Sequence, residues 1–341
     1  MKLKNIKYHF KIKQLLNYFK YKTSKKTAIL SYRPIWLLIY VSDLCNLRCE
    51  MCPHHNGKTN YFSFQKELTK EFMTPEMLEK IYKKFPESIF VMLGGVGEPL
   101  LNPYFKDLVK ITAQHRKKMN LITNGVLLNE KMADYLLSNK YVNQISISLN
   151  ASTPEEYINI CKINKFDVVC KNIRYLVKRK KELKSSVEIV VSGVCSHQFV
   201  DKSIDFLKFC DSLNVDRIDL HRYIDFDVVG GLTDIDEMHD DMKKIVNCAN
   251  ELYTKVNLPH SISKKTYKKA CDWYFKNLSF DAKGNIGSCG RVINPDKKYG
   301  NIDDKDDIWN NEYMQMMRKK FLDSNDIVTK YCEKCVENHL K

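Results

Sequence analysis

The sequence predicts an α/β fold in which parallel strands form a barrel or part of one. Apolar runs rich in β-branched and aromatic residues alternate with amphipathic segments of helical length. Such alternation gives parallel strands, and six strand–helix units suggest a barrel-type sheet. The length of 341 residues accommodates one large α/β domain and a smaller one.

The predicted strands are short, mainly apolar runs at 35–41, 89–93, 119–122, 144–149, 187–191 and 217–223. Helices are predicted after them, from 74, near 105–116, at 129–138, from 152, near 168–183 and near 201–213. Two helix starts carry capping signals, because Thr74 precedes Pro75 and Thr153 precedes Pro154. The barrel domain is therefore predicted at residues 35–225.

Three further parts are predicted: a basic amphipathic arm at 1–34, a helical connection at 226–265 and a small cysteine-rich α+β subdomain at 266–341. The longest apolar run is far too short to span a membrane. A secretory signal pattern is absent, and the cysteines fit a reducing compartment, so a cytoplasmic location is expected.

The arm carries most of the net charge of +15. It contains nine lysines and Arg33 but no acidic residue, so it contributes +10 and the remaining chain +5. The nearly balanced body has no charge signature of nucleic-acid binding. Apolar residues at 8, 12, 15, 16 and 19 predict a helix, which either closes the bottom of the barrel or contacts an anionic membrane surface or a partner.

Three cysteines directly follow the first predicted strand, at the end where α/β folds build their active sites. Cys45, Cys49 and Cys52 can ligate three irons of a 4Fe–4S cluster and leave the fourth iron open for a ligand. A zinc site completed by His54 or His55 is the alternative. A disulfide is not expected in a reducing compartment.

A glycine cluster, Gly94-Gly95-Val96-Gly97-Glu98-Pro99, follows the second predicted strand. Glycines let a backbone approach a ligand closely, and the strand's exposed backbone groups together with a carboxylate could bind an ammonium group. An ordinary turn between strand and helix is the alternative.

Two predicted strands place polar residues on one face. Ser148 and Asn150 continue the polar face of the fourth strand, whereas Asp219, His221 and Tyr223 share a face of the sixth. A polar inner face indicates a lumen that holds a ligand, because a filled barrel is apolar inside. We therefore take Ser148, Asn150 and His221 as binding candidates, and Asp219, His221 and Tyr223 as candidate bases. An outward polar face is the alternative.

The cysteine triad and the glycine cluster together resemble the radical S-adenosylmethionine superfamily over residues 35–225. The resemblance implies a partial TIM-type (β/α)6 barrel in which the three cysteines hold a 4Fe–4S cluster whose open iron chelates S-adenosylmethionine. It also implies reductive cleavage of that molecule to a 5′-deoxyadenosyl radical, with a reducing partner such as flavodoxin or ferredoxin.

The resemblance extends to individual residues. The methionine amino group of the cofactor is then lined by Gly94, Gly95, Gly97 and Glu98. Ser148 and Asn150 are then near the ribose or the carboxylate. The chain departs from the family pattern at Met51, where an aromatic residue usually precedes the third cysteine.

Four further cysteines accompany a predicted hairpin and a helix near 306–320: Cys271, Cys289, Cys332 and Cys335. The hairpin is indicated by runs at 278–280 and 286–288 on either side of a turn. Four thiolates can close a second iron–sulfur cluster or a zinc site, and ligand chemistry alone favours neither. The segment resembles the SPASM domain of radical enzymes in its shortened twitch form, which implies one auxiliary 4Fe–4S cluster without an open iron.

These features predict a two-electron oxidation of a small polar or carbohydrate-like substrate, with the auxiliary cluster as electron acceptor. A peptide-modifying radical enzyme and a nucleotide-rearranging one are the alternatives within the superfamily. A zinc protein that binds nucleic acid through the arm is the alternative outside it. The expected partners are a small-molecule or peptide substrate and the reductant, with no nucleic acid.

Overall fold

The computed structural model describes residues 10–52, 54, 71–195, 200–222, 239–258, 272–287 and 299–323. The strands in these parts of the chain are β1 (Trp36–Tyr40), β2 (Phe90–Gly94), β3 (Lys118–Thr123), β4 (Val142–Ser148), β5 (Glu188–Cys195), β6 (Arg217–Arg222), β7 (Lys255–Asn257), β8 (Asn277–Phe280) and β9 (Ile286–Gly287).

The helices of the same parts are α1 (Ile12–Thr23), α2 (Pro75–Lys84), α3 (Phe105–Gln114), α4 (Glu130–Leu137), α5 (Pro154–Cys161), α6 (Phe166–Glu182), α7 (Val200–Ser212), α8 (His239–Glu251), α9 (Trp273–Lys276) and α10 (Glu312–Asp323). The predicted caps are present, since the Thr74 hydroxyl accepts from the backbone of α2 and the Thr153 hydroxyl from that of α5. None of the helices within the described ranges has both the length and the apolar composition of a membrane span.

All nine strands form one sheet in the order β7-β6-β5-β4-β3-β2-β1-β8-β9. Strands β1 to β7 run parallel to their neighbours, β8 runs parallel to β1, and β9 is antiparallel to β8. The predicted α/β fold with a partial barrel is confirmed.

The structure adds two pairings to the prediction. The connection predicted as helical contains α8 and then the short strand β7, which extends the sheet beside β6. The predicted hairpin is β8–β9, and β8 pairs with β1, so the sheet of the C-terminal part is continuous with that of the barrel.

The main apolar core lies between the sheet and the surrounding helices. Ile145 and Ile147 of β4 belong to this core, as do Ile218 and Leu220 of β6. Because side chains alternate along a strand, the residues between them face the inside of the barrel.

Helix α1 closes the N-terminal end of the barrel. The side chain of Gln14 donates to the backbone oxygens of Ser88 (3.0 Å) and His115 (3.3 Å), which precede β2 and β3. The side chain of Asn17 donates to the oxygen of Arg33 (3.0 Å) and accepts from its N–H (2.7 Å). These bonds fasten the helix to the backbone that leads into three strands.

Candidate active site at the carboxyl ends of the strands

The cysteine loop follows β1 at the carboxyl edge of the sheet. Cys45, Cys49 and Cys52 are each half-buried there. The N–H of Cys52 donates to the oxygen of Cys49 (3.0 Å), and the N–H of Leu47 donates to Sγ of Cys45 (3.4 Å). The loop is therefore a turn in which a backbone N–H, that of Leu47, donates to the sulfur of Cys45.

The end of α5 holds this loop from the side. The N–H of Arg48 donates to the oxygen of Cys161 (3.2 Å), and the N–H of Glu50 donates to that of Ile160 (2.9 Å). An ion pair of 3.1 Å between Lys162 and Glu50 adds to these bonds. The last carbonyls of a helix lack partners within the helix, so the cysteine loop caps α5 while α5 positions the loop.

The backbone of the glycine cluster is in direct contact with the segment that leads into the cysteine loop. The N–H of Gly97 donates to the oxygen of Ser42 (2.9 Å), and that of Glu98 donates to the oxygen of Leu44 (2.7 Å). A Cβ atom at Gly97 would lie 2.1 Å from the oxygen of Leu44, so this approach requires glycine. Gly95 is exposed and has a φ of 137°, a conformation that also favours glycine.

The carboxylate of Glu98 lies buried between the loops that follow β2 and β3. It accepts from the hydroxyl of Thr123 (2.6 Å) and from the N–H groups of Asn124 (2.7 Å) and Leu100 (3.0 Å). Burial raises the pKa of this carboxyl, and the three hydrogen bonds act in the opposite direction. Glu98 therefore ties the glycine loop to the next loop along the sheet.

Asn124 is a site residue that the sequence reasoning did not single out. Its side-chain amide donates to the side-chain oxygen of Asn46 (2.7 Å) and lies 3.9 Å from Sγ of Cys45. Its sequence position could have indicated this role. Asn124 follows the third predicted strand, just as the cysteines follow the first and the glycines follow the second.

The cysteine loop presents three thiolates that could hold a metal group. Within the described ranges, no three His, Cys, Asp or Glu side chains converge on a single-ion site. A 4Fe–4S cluster takes each thiolate at a different corner, so three cysteines along one loop fit such a cluster. Burial raises the pKa of the Cys45 thiol to about 11, so metal binding there displaces a proton.

Two predicted binding residues lie at the end of β4. Ser148 is the last residue of the strand and is half-buried. Asn150 has a φ of 61°, and its side-chain oxygen accepts from the N–H of Val194 (3.0 Å). Asn150 therefore joins the ends of β4 and β5.

Asp219, a candidate base, is held by two neighbours inside the barrel. Arg217 donates to its two carboxylate oxygens at 2.8 and 3.0 Å, and Asn257 donates at 2.9 Å. Arg217 also contacts Glu188 at 2.5 Å. Sequence reasoning missed Arg217, although its place two residues before Asp219 puts both side chains on one face.

His221, a second candidate base, lies closer to the carboxyl end of β6 than Asp219 does. His221 is exposed and pairs in register with Val194 of β5. Tyr223 lies outside the described residues, as do Cys271, Cys289, Cys332 and Cys335.

Comparison with known proteins places two domains on this chain. Residues 39–206 match the family model described as the Radical SAM superfamily, and residues 271–336 match that of an iron-sulfur cluster-binding domain, SPASM. The chain is 25% identical over 320 residues to the tungsten-containing aldehyde ferredoxin oxidoreductase cofactor-modifying protein of Pyrococcus furiosus, covering 84% of this chain and 85% of that protein.

Two further likenesses concern enzymes and complexes that involve peptides or proteins. The chain is 27% identical over 200 residues to a cysteine-type anaerobic sulfatase-maturating enzyme of Clostridium perfringens, and the match spans 53% of this chain and 52% of that protein. The crystal structure of Streptococcus suis SuiB bound to precursor peptide SuiA superposes with a TM-score of 0.65 at 16% identity, covering 96% of this chain and 74% of that one. At this identity the structural likeness shows the fold.

Proposed function

We propose a reaction for this chain, which belongs to the radical S-adenosylmethionine (radical SAM) superfamily and carries an SPASM iron–sulfur domain. Its cofactors are 4Fe–4S clusters and S-adenosylmethionine. The proposed reaction is the two-electron oxidation of a small polar or carbohydrate-like substrate inside the barrel. The polar inner face of β4, β5 and β6 is the observation that carries this proposal.

That inner face contains a row of hydrogen-bonding side chains. Ser148 pairs in register with Ser192, and Ser192 pairs with Asp219, so these three lie side by side across three strands. Arg217 lies one step below Asp219 on the same face. Hydroxyl and carboxylate groups at one level suit a substrate with several hydroxyl or amino groups, because each of them can form further hydrogen bonds that an apolar molecule cannot provide.

In this proposal Cys45, Cys49 and Cys52 hold the cluster at the mouth of the barrel, and the four C-terminal cysteines hold the auxiliary cluster: Cys271, Cys289, Cys332 and Cys335. When bound, these groups supply a 5′-deoxyadenosyl radical that takes one hydrogen atom from the substrate and an acceptor for the electron that remains. The glycine loop then offers Gly94 and Gly95 to the cofactor, while Gly97 and Glu98 position that loop against the cysteines.

Completing a two-electron oxidation also requires removal of one proton from the substrate. Among the three candidate bases we assign this role to His221. It lies above the polar row, toward the cysteine loop, and neutral imidazole accepts a proton near neutral pH. Asp219 is engaged by Arg217 and Asn257, which suits it to orienting a substrate hydroxyl. Tyr223 remains a candidate from its sequence position.

We further propose a reducing partner and a cellular location for the enzyme. The electron that starts each turnover comes from a small reducing protein such as flavodoxin or ferredoxin. The location is the cytoplasm, where exposed clusters and free thiols persist.

The activity test uses the reconstituted full-length protein under anaerobic conditions with S-adenosylmethionine and a reductant. Candidate sugars, aminocyclitols and peptides are compared by the release of 5′-deoxyadenosine, and a deuterated substrate must transfer its label to that product. His221→Ala is expected to lower the oxidised product formed per 5′-deoxyadenosine about 100-fold or more, because proton removal fails after hydrogen abstraction. If Asp219→Asn, His221→Ala and Tyr223→Phe all leave this ratio and the rate unchanged, the base assignment is wrong.

A peptide is the second candidate substrate. The similarity to the sulfatase-maturating enzyme, a protein whose name denotes action on another protein, supports it. Label transfer from a peptide and none from sugars would favour this candidate. Metal analysis tests the alternative of a zinc protein. About eight irons per chain would fit two 4Fe–4S clusters, whereas zinc without iron would exclude radical chemistry.

A further inference from the structure

Helix α1 packs on the barrel through a mixed face, in which Leu15, Tyr18 and Tyr21 contact the buried cluster of Phe10, Ile35, Ile89 and Phe90. Gln14 is fully buried and Asn17 is 5% exposed, and both bind backbone at the bottom of the barrel. Ile12, Leu16 and Phe19 are 77%, 58% and 66% exposed. The helix therefore has a second apolar face that its packing on the barrel leaves in solvent, and such a face indicates a use outside the fold.

The three exposed residues form one continuous ridge. At 3.6 residues per turn, Ile12, Leu16 and Phe19 lie within about 60° of the helix circumference. We call this set the arm ridge. Its apolar side chains stand on the side of α1 that faces away from the barrel.

Lysines border the arm ridge on both sides. On a helical projection, Lys13 and Lys20 flank one side, and Lys11 and Lys22 flank the other. The arm contains no acidic residue to neutralise them. Some cations of the arm also have contacts within the fold, because Lys26 pairs with Asp272, Arg33 pairs with Asp307, and Lys22 lies 5.6 and 5.5 Å from the ring centres of Tyr18 and Tyr21.

We propose that the arm ridge and its lysines dock this protein on an anionic lipid surface. A narrow apolar ridge between two rows of lysines matches a helix that lies in the membrane interface, with apolar side chains among the acyl chains and lysines at the headgroups. A second copy of the chain fits the ridge poorly, since a two-fold contact would bring the two lysine borders against each other.

The position of α1 defines the orientation on the membrane. The helix lies at the N-terminal ends of the strands, beside Ser88 and His115, whereas the cysteine loop lies at the carboxyl ends. Docking through the arm ridge therefore leaves the mouth of the barrel turned away from the lipid. The active site stays open to soluble partners while the protein is held at a surface.

The test measures cosedimentation of the full-length protein with vesicles of phosphatidylcholine alone and of phosphatidylcholine mixed with phosphatidylglycerol. Binding is expected only to the mixed vesicles and is expected to decrease as salt increases. Leu16→Asp is expected to lower the partition coefficient about tenfold or more, and Lys13→Gln or Lys20→Gln about fivefold each. Tyr253→Asp, at a fully exposed tyrosine far along the chain, is the matched control and is expected to bind normally.

Three results would overturn the proposal. One is failure of the protein to bind the mixed vesicles at low salt. Another is a large drop in melting temperature for Leu16→Asp, because that would show the ridge packed against the chain's own segments. The third is a dimer in light scattering that Leu16→Asp dissociates, because that would assign the ridge to a second copy.

Discussion

At Gly97, the absence of a side chain determines how closely two loops of the site approach. The peptide of Gly97 lies against the backbone of Leu44, one residue before the first cysteine, and the next N–H, that of Glu98, donates to Leu44. Gly94, in the same cluster, has only ordinary contacts for an added Cβ, at 3.7 Å from Ile122 and 3.8 Å from Met92. The two glycines therefore differ in what they do, although both lie in one cluster.

This difference gives a prediction with a built-in control. Gly97→Ala is expected to lower the free energy of unfolding by about 1–3 kcal/mol, because backbone must move to admit the methyl group. Gly94→Ala is expected to leave it unchanged or to raise it by less than about 1 kcal/mol. Urea unfolding followed by circular dichroism measures both. Equal effects of the two substitutions would show that the loops do not touch as described.

Helix α10 carries a buried cation, Arg318, that forms hydrogen bonds with several distant parts of the chain. The guanidinium donates to the oxygens of Tyr274 (2.9 Å), Trp309 (2.7 Å) and Ala28 (3.2 Å) and to the side chain of Asn310 (2.9 Å). It also lies 4.3 Å from the centre of the Trp309 ring. Burial lowers the pKa of Arg318 to about 10, so it remains charged at neutral pH. One side chain thus connects α10 to the arm and to α9.

Arg318→Met is expected to lower the free energy of unfolding by about 3 kcal/mol or more, because several buried acceptors lose their donor at once. Lys319→Met changes the neighbouring, exposed lysine and is expected to stay within about 0.5 kcal/mol of the unmodified protein. Thermal and denaturant unfolding compare the two. A stable Arg318→Met protein would mean that α10 is held by its apolar contacts alone.

For the whole molecule, the decisive contact is the pairing of β8 with β1. Leu38 of β1 pairs with Ser279 of β8, and Ser279 also pairs with Gly287 of β9. Strand β8 is therefore a central strand, and it is buried along its length. It joins the barrel and the hairpin into one sheet.

A proline placed in this strand tests that arrangement. Ser279→Pro removes a donor from a strand with neighbours on both sides and is expected to destabilise the protein by about 3 kcal/mol. Ala282→Pro lies in the adjoining turn, which the bond from the N–H of Gly284 to the oxygen of Asp281 closes at 3.0 Å. Because this position of a turn accepts proline, a change within about 1 kcal/mol is expected. Denaturant midpoints that fall equally for both variants would argue against a central β8.

The strands of the barrel could be predicted because each is a local pattern of apolar residues, and the cysteine and glycine loops followed from their places after two of them. The burial of Gln14 could not, because its partners are backbone oxygens of Ser88 and His115, remote in sequence. The pairing of β8 with β1 is equally remote. Periodicity identified α1 as a helix, but which side would be buried depended on those distant groups.

The candidate site was predictable to a similar degree. Residue types predicted a site on the loops after β1 and β2, and the structure brings the cysteine loop, the glycine cluster and Glu98 together at one edge of the sheet. The engagement of Asp219 by Asn257 depends on β7, a three-residue strand without a clear sequence pattern. The contact between α5 and the cysteine loop depends on how a helix end meets a distant turn, which local patterns do not encode.

The pairing of β8 with β1 also has a consequence for the order in which the chain is made. During synthesis β1 leaves the ribosome among the first strands, whereas β8 leaves after all the other strands of the barrel. One edge of β1 therefore waits for its partner throughout most of translation, and an unpaired edge is a template for pairing with other chains. Among β1 to β7, the strand that leads into the cysteine loop is thus synthesised before the other six and is the last to gain both of its neighbours.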